Sequence, residues 1–338
     1  MSARPTQRAV SRPWLAAVVG LAWISPWVIG FTAFTLLPVA ISGYLCFCQF
    51  DGLRPPLFTG LENLRTLAAD PVFWQTLKTT SIYAAIALPL GTLVALALAV
   101  LLNANVPGRT VWRAIIFVPT LVPLVATAMI WLWMFNGQYG LLNAALAPLT
   151  PAINLVLDGL NSLLGAANFV LRPLHPAVAL HVGRFEPPNW LTDPHWTMPS
   201  MILLSVWSVG NAVVVYLAGL QDVPRSLYEA AHVDGANAWQ RLRHVTLPMI
   251  SPSIFFNIVI GIIFVWQVFA VPQIMIPGGG PQRSAYFYTM YLYDTAFRDL
   301  RFGYASTLSW VQLAIIVALT ALAFRLSRRL VHYRGTGG

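Results

Sequence analysis

Two groups of residues in this sequence have the types and spacing to do work. The first is Glu229-Ala230-Ala231, followed after three residues by Gly235, after nine more by Val245, and after one more by Leu247-Pro248. Its chemistry is mechanical. Pro224 followed by Ser226 predicts a helix start, and the alanine pair lets a short helix press closely against another surface. Gly235 permits a backbone turn that a residue with a Cβ would resist. Pro248 is expected to close the segment before the next apolar run. Such a helix-turn-helix is either a docking element for another chain or a compact reversing loop.

The second group sits inside apolar runs: Trp207, Ser208 and Asn211 in one, Asn257, Trp266 and Gln267 in the next. Polar groups at membrane depth are expensive, so they line a path or mediate helix packing. An amide beside an aromatic ring suits a sugar, which presents hydroxyls at its edge and C–H faces above and below. From these runs Trp207, Ser208, Asn211, Trp266 and Gln267 form the candidate substrate path, with helix packing or interface placement as the other reading.

Several chemistries find no support. A phosphate-binding loop needs Gly-x-x-x-x-Gly-Lys-Ser/Thr, and the single lysine, Lys78, follows Leu77. Any ATP hydrolysis must therefore come from another chain. His175, His181 and His195 match no helical or short-loop metal spacing, and Cys46 and Cys48 lack nearby ligand partners, so no metal site is expected. Two residues apart, the cysteines are also poorly placed for a mutual disulfide and are read as small apolar filler. No catalytic residue is assigned, because His, Asp and Glu do not converge as a membrane enzyme would want. No apolar run carries a carboxylate to relay protons or pair with sodium, which weakens an ion-driven secondary transporter. Pro119, Pro123 and Pro272 permit the broken helices of such a transporter, so it is weakened rather than removed.

The elements that must position these residues are long and apolar. Only 9% of the 338 residues are charged and 57% are hydrophobic, whereas soluble domains carry about 25% charged residues. Spanning a hydrocarbon core takes roughly 20 apolar residues, and six runs of that size occur, at 14–37, 79–102, 111–135, 200–220, 254–276 and 305–324. Only Arg113 interrupts them with a charge. Trp131, Trp133 and Phe135 are expected at the headgroup layer. The first run is too long for a cleavable leader's core of roughly 7 to 15 residues and is read as a retained helix.

The net charge of +9 raises nucleic acid as a partner, but its placement points to the bilayer. With the amino terminus inside, twelve arginines fall on cytoplasmic pieces: Arg4, Arg8, Arg12, Arg109, Arg113, Arg225, Arg241, Arg243, Arg325, Arg328, Arg329 and Arg334. Eight basic residues fall outside: Arg54, Arg65, Lys78, Arg172, Arg184, Arg283, Arg298 and Arg301. Per residue the bias is roughly threefold. The expected protein is all-α, with six transmembrane helices and both termini cytoplasmic.

The expected organisation is a tail at 1–13, the first helix, an outer loop at 38–78 and a core at 79–324, closed by a tail at 325–338. Within the outer loop, Leu61, Leu64 and Leu67 predict a short surface helix. The core includes an unusually long outer loop at 136–199 and the cytoplasmic loop at 221–253. In the longer loop, Leu155, Leu157, Leu160, Leu163, Leu164 and Val170 share a helical face that Asp158, Asn161 and Asn168 interrupt, predicting an amphipathic helix rather than a seventh span.

The loop with Glu229, Ala230, Ala231, Gly235, Leu247 and Pro248 resembles the "EAA" loop of ABC importer permeases, with Val245 where isoleucine is usual. Further stretches are similar, in the same order, to the carbohydrate-uptake members. They are Gly60-Leu61-Glu62-Asn63, Trp112-Arg113-Ala114 with Phe117-Val118-Pro119, and Tyr139-Gly140-Leu141-Leu142-Asn143. Asn189-Trp190-Leu191, Gly279-Gly280-Pro281 and Phe302-Gly303-Tyr304-Ala305 complete the set. The segment 147–186 departs from that pattern. The resemblance implies a type I importer permease in a bacterial cytoplasmic membrane. It also implies a second, different permease, two ATPase subunits carrying ATP and magnesium, and an external solute-binding protein. This chain itself would bind no cofactor and be no enzyme. The six loop residues would couple the ATPases to the membrane helices. A sugar or oligosaccharide is the expected substrate, with glycerol phosphate or a polyol as the alternative.

Overall fold

Backbone polar groups in hydrocarbon must be satisfied within the chain, so apolar runs of this length fold as helices. The computed structural model describes residues 13–104, 107–171 and 183–330. Arg4, Arg8, Arg12, Arg172, Arg334, His175 and His181 lie outside these residues, as do 1–12 and 331–338 of the expected tails. The side chains of Asn168, Val170, Arg328 and Arg329 also fall outside what is described.

In chain order, α1 (Pro13–Phe31) runs through a π-turn (Thr32–Leu36) into α2 (Leu37–Leu45). Strands β1 (Cys48–Gln49) and β2 (Leu57–Phe58) precede α3 (Glu62–Ala69). Then come α4 (Pro71–Asn103), α5 (Arg109–Leu121), α6 (Leu124–Met134), α7 (Leu141–Leu146) and α8 (Thr150–Leu171). They are followed by α9 (Pro194–Trp207), α10 (Gly210–Gln221), α11 (Arg225–Val233) and α12 (Ala238–Arg241). Last are α13 (Leu247–Trp266), α14 (Ala270–Met275), α15 (Tyr288–Tyr293) and α16 (Phe302–Leu330).

Among the described residues, five helical stretches are long and apolar enough to cross a bilayer, and two bent pairs bring the number to as many as seven. All six expected runs are among them, with corrections. The first extends to Leu45. The second begins two turns early, at Pro71, where Asp70 caps the helix by accepting from the Val72 N–H at 2.8 Å. The third is not one rod: α5 and α6 meet at 101°. Pro123 forces Val122 out of the helical region, to ψ 127°, which ends α5. The fourth starts at Pro194 and bends by 44° between α9 and α10. The fifth ends at Trp266 instead of 276 and resumes as α14.

The additional candidate is α8, inside the long outer loop. Length and hydropathy qualify a stretch from Leu141 to Gly165. The helix nevertheless carries Asp158, paired with Arg184 at 3.2 Å, and exposes Leu155, Val156, Leu160 and Leu163. The base of this insertion is pinned by two of the sequence stretches noted above. The buried Asn143 donates from Nδ2 to the carbonyls of Gly137 (2.9 Å) and Pro188 (3.1 Å), and its Oδ1 accepts from Trp190 Nε1 at 2.8 Å.

The chain divides into two units. The first takes in residues up to Ala69 with Tyr293–Val311. There β1 and β2 pair antiparallel, Cys48 opposite Phe58. Asn63 on α3 donates to the carbonyls of Cys46 (3.0 Å) and Cys48 (2.9 Å), fastening helix to hairpin. Both cysteines are buried and free.

The second unit, Asp70–Leu292 with the chain from Gln312 on, is built around α4, which packs on α9, α10 and α13. It holds two cores. One gathers Tyr83, Trp131, Phe135, Trp190, Trp266 and Phe287, the other Ala95, Ala99, Tyr216, Leu220 and Ile250. Trp131 and Phe135 are therefore interior residues, at 4% and 2% exposure, and of the expected aromatic belt only Trp133 faces outward. The rings of Trp131 and Phe135 are tilted at 4.9 Å, and Trp131 meets Trp207 edge-on at 5.8 Å. Aromatic packing outweighs their fitness for the headgroup layer.

Candidate functional site

The loop that opened the sequence analysis folds as a helix, a turn and a second helix. α11 begins at Arg225, directly after Pro224. It ends in a Schellman motif: the Ala236 N–H donates to Ala231 O (2.9 Å) and the Gly235 N–H to His232 O (3.0 Å). Gly235 closes it at φ +75°. A Cβ there would meet nothing within 4 Å, so the requirement for glycine is conformational, not steric crowding.

The second helix is started by a reciprocal capping box. The Gln240 N–H donates to Asn237 Oδ1 (2.9 Å) and the Asn237 N–H to Gln240 Oε1 (2.8 Å). Pro248 does not close this segment, contrary to expectation. A π-turn at Leu242–Thr246 joins α12 to α13, and the helical run continues from Ala238 onward. Proline has no N–H to donate and its ring crowds the carbonyl one turn back, and the wider turn accommodates both defects. The loop is thereby continuous with the fifth apolar helix. The Tyr228 and Thr246 hydroxyls, 3.0 Å apart, tie its two arms together.

Of the six loop residues, Glu229, Ala230 and Gly235 are exposed, and Ala231, Leu247 and Pro248 half-buried. Glu229 forms no ion pair among the described residues. Val233 and Trp239, 87% and 65% exposed, flank the turn. An alanine-surfaced helix with bare apolar side chains at its end is shaped to be covered.

The second site is a cavity of about 520 Å³ in the second unit. Its polar lining includes Tyr83 and Thr92 on α4, Thr120 on α5, Thr127 on α6, Ser205 on α9, Asn211 and Tyr216 on α10, and Asn257 on α13, with Ser208 at the bend. Three helix breaks converge on it: Pro119 to Leu124 at the α5–α6 bend, Ser208-Val209 between α9 and α10, and Val268 beyond the end of α13. Non-helical backbone at membrane depth is tolerated where it lines a cavity, and here it does. Gly210, beside the second break, lets α10 lie close on α5, since a Cβ there would lie 2.7 Å from the Ile116 carbonyl oxygen. Among the described residues, no Lys, Arg, His, Asp or Glu lines the cavity.

The structure brings Ser208 and Asn211 together with Asn257 on this wall. Trp207 and Trp266 stand behind it: Trp207 packs on Trp131, and Trp266 is buried, its carbonyl accepting from Gln312 Nε2 and Thr289 Oγ1. Gln267 is exposed at the end of α13. Tyr83, Thr92 and Tyr216 were not singled out from the sequence. Their signal is weak because a threonine passes readily within an apolar helix by bonding to its own backbone and a tyrosine by the apolar body of its ring. Only the convergence of α4, α10 and α13 gives them a common address.

Residues 87–334 match the family described as "binding-protein-dependent transport system inner membrane component". The chain is 32% identical over 92% of its length to the lactose transport system permease of Rhizobium radiobacter, covering 94% of that protein. It is 32% identical over 90% of its length to the sulfoquinovosyl glycerol transport system permease of Agrobacterium fabrum, covering 89% of that protein. Its fold is similar to a chain in the crystal structure of a bacterial alginate ABC transporter in complex with an alginate pentasaccharide-bound periplasmic protein. That likeness has a TM-score of 0.69 at 22% identity and covers 94% of each chain. With a family match over most of its length, and a helix-turn-helix loop continuous with a broken-helix membrane core, the chain belongs to the inner-membrane permease components of binding-protein-dependent ABC transport systems.

Proposed function

We propose that this permease imports a neutral carbohydrate, a sugar or oligosaccharide, across a bacterial cytoplasmic membrane. The observation that carries the reading is the cavity lining: hydroxyls and amides from Tyr83, Thr92, Ser208, Asn211, Tyr216 and Asn257 set in apolar walls, with no Lys, Arg, His, Asp or Glu among the described residues. The hydroxyls of a sugar find donors and acceptors there, and its C–H faces find Val and Leu side chains. A glycerol phosphate would have to shed its hydration with no cation to receive it, which is strongly unfavourable. The relatives' names include both a neutral disaccharide and a sulfonated glycoside, and the uncharged wall favours the former class.

Energy enters through partners. The chain pairs with a second permease and with two ATPase subunits carrying ATP and magnesium, one of which receives the α11 helix in a groove. A solute-binding protein presents the sugar from outside. Closure of the ATPases pulls the loop from Glu229 to Pro248, and the continuous helix from Ala238 transmits that displacement to α13 and the cavity wall. The three breaks around the cavity are where the helices bend as access alternates.

The test is ATP hydrolysis by the reconstituted complex over a ligand panel. Stimulation by a neutral sugar, dependent on the binding protein, supports the reading. Stimulation by glycerol phosphate alone would overturn the neutral-substrate assignment. Uptake driven by a sodium or proton gradient without ATP would overturn the coupling.

A further inference from the structure

A second cavity, of about 300 Å³, lies apart from the first, between α5, α10 and the end of α4. Its lining includes Gln221, the last residue of α10 before the coupling loop, and Leu102, one residue from the end of α4. The groove therefore opens at the end of the bundle that carries that loop. Its walls are apolar, with Ile116, Val214 and Leu217 among them, and Val214 is half-exposed.

Arg113 is the charged group in this lining. Its Nε and Nη2 are buried and find no hydrogen-bond partner among the described residues. A guanidinium held this way in low dielectric is unstable unless an anion meets it. Snorkelling to water would be the usual relief for an arginine one turn into a membrane helix, but two of its three nitrogens are turned away from solvent. Swung into the groove about the outer bonds of its side chain, the fork of N–H groups matches two oxygens of a phosphate. A phosphate beside an apolar trough is the chemistry of a phospholipid, and basic pockets between helices near the cytoplasmic face recur as sites for anionic headgroups.

We propose that Arg113 holds the phosphate of an anionic phospholipid, with one acyl chain lying along Ile116, Val214 and Leu217. The site belongs to neither the substrate cavity nor the coupling loop. It would anchor the α5–α10 contact at the membrane surface and make the permease responsive to the anionic lipid content of its bilayer.

The test uses the assembled complex in nanodiscs of equal phosphatidylglycerol and phosphatidylcholine, delipidated stepwise and read by native mass spectrometry. The wild type is expected to retain phosphatidylglycerol over phosphatidylcholine by roughly fivefold, the factor one basic residue near anionic lipid supplies. Arg113→Gln should abolish the preference and Arg113→Lys keep most of it. Val214→Trp, which fills the trough and leaves the cation, should also lose the lipid. Equal retention of both lipids by the wild type overturns the proposal, and that reading needs no variant to assemble. Unchanged preference in Arg113→Gln also overturns it. Displacement of the lipid signal by millimolar inorganic phosphate, with Val214→Trp unaffected, would assign the site to free phosphate and overturn the lipid. Because the readout is bound lipid, the result is independent of which sugar the importer carries.

Discussion

Gly235 shows how one residue sets the geometry of a whole loop. Its φ of +75° closes the Schellman motif at the end of α11, and an alanine in that region costs about 1 kcal/mol or more. Gly235→Ala should leave the membrane helices intact and weaken sugar-stimulated ATP hydrolysis, and Gly235→Tyr should abolish it by adding bulk where nothing within the chain stands in the way. Unaltered stimulation in the tyrosine variant would count against α11 as the coupling helix. Asn143 is the counterpart outside. Asn143→Ala strips partners from the Trp190 N–H and the carbonyls of Gly137 and Pro188, and a buried group so orphaned costs about 1–3 kcal/mol. Thermal melting of the assembled complex should fall measurably, with little change in wild-type-like ATPase coupling at low temperature. Asp193 caps α9 by accepting from the His195 N–H at 2.8 Å, and that bond with the neighbouring imidazole holds its carboxyl below the usual range. A lowered pKa in the folded state stabilises above the ordinary carboxylate value and ceases to do so as pH falls through the shifted one. Melts between pH 6 and pH 3 should therefore show an acid loss that is smaller in Asp193→Asn.

At the scale of elements, the informative features are the places where helices stop being helices. The sequence announced the runs themselves, because 20 uncharged residues leave the backbone no other option. It also flagged Pro123, and the 101° bend between α5 and α6 follows from that residue. The bend at Ser208 and the stop at Trp266 carry no proline. They arise from tertiary fit: Gly210 pressed onto the α5 backbone and the Trp266 carbonyl drawn to Gln312. No local pattern encodes either. Trp131 and Phe135 mislead for a similar reason, since an aromatic near the end of a run looks interfacial until its neighbours are known. Pro248 misleads in the opposite direction, reading as a terminator when a π-turn carries the helix past it. That turn makes a prediction. Deleting one residue from Leu242–Thr246 should restore α-helical spacing while rotating the coupling loop by about 100° relative to α13. Membrane insertion should survive and ATP-driven uptake should not. Retained uptake would show that the loop's orientation on the helix is immaterial.

At the scale of the whole molecule, the second unit joins a loop shaped to be covered to a cavity shaped to be entered, and one helical run from Ala238 connects them. The helix, turn and second helix of the proposed coupling loop were legible in the sequence because Pro224 and Gly235 act locally, at fixed offsets from Glu229, Ala230 and Ala231. The cavity was only half legible: Ser208 and Asn211 reach it, while Trp207 and Trp266 support it from behind and Gln267 lies at the end of α13. An amide in a span declares that it has a purpose, but which side of the helix it faces depends on partners many residues away. The account stands on the cavity being where sugar passes. The most direct measurement is uptake of a neutral disaccharide into proteoliposomes by the complete complex, wild type against Asn211→Leu/Asn257→Leu. Losing two substrate hydrogen bonds should cost at least tenfold in uptake, about 1.4 kcal/mol, while the complex assembles and hydrolyses ATP as before. Undiminished uptake by that variant would contradict the account.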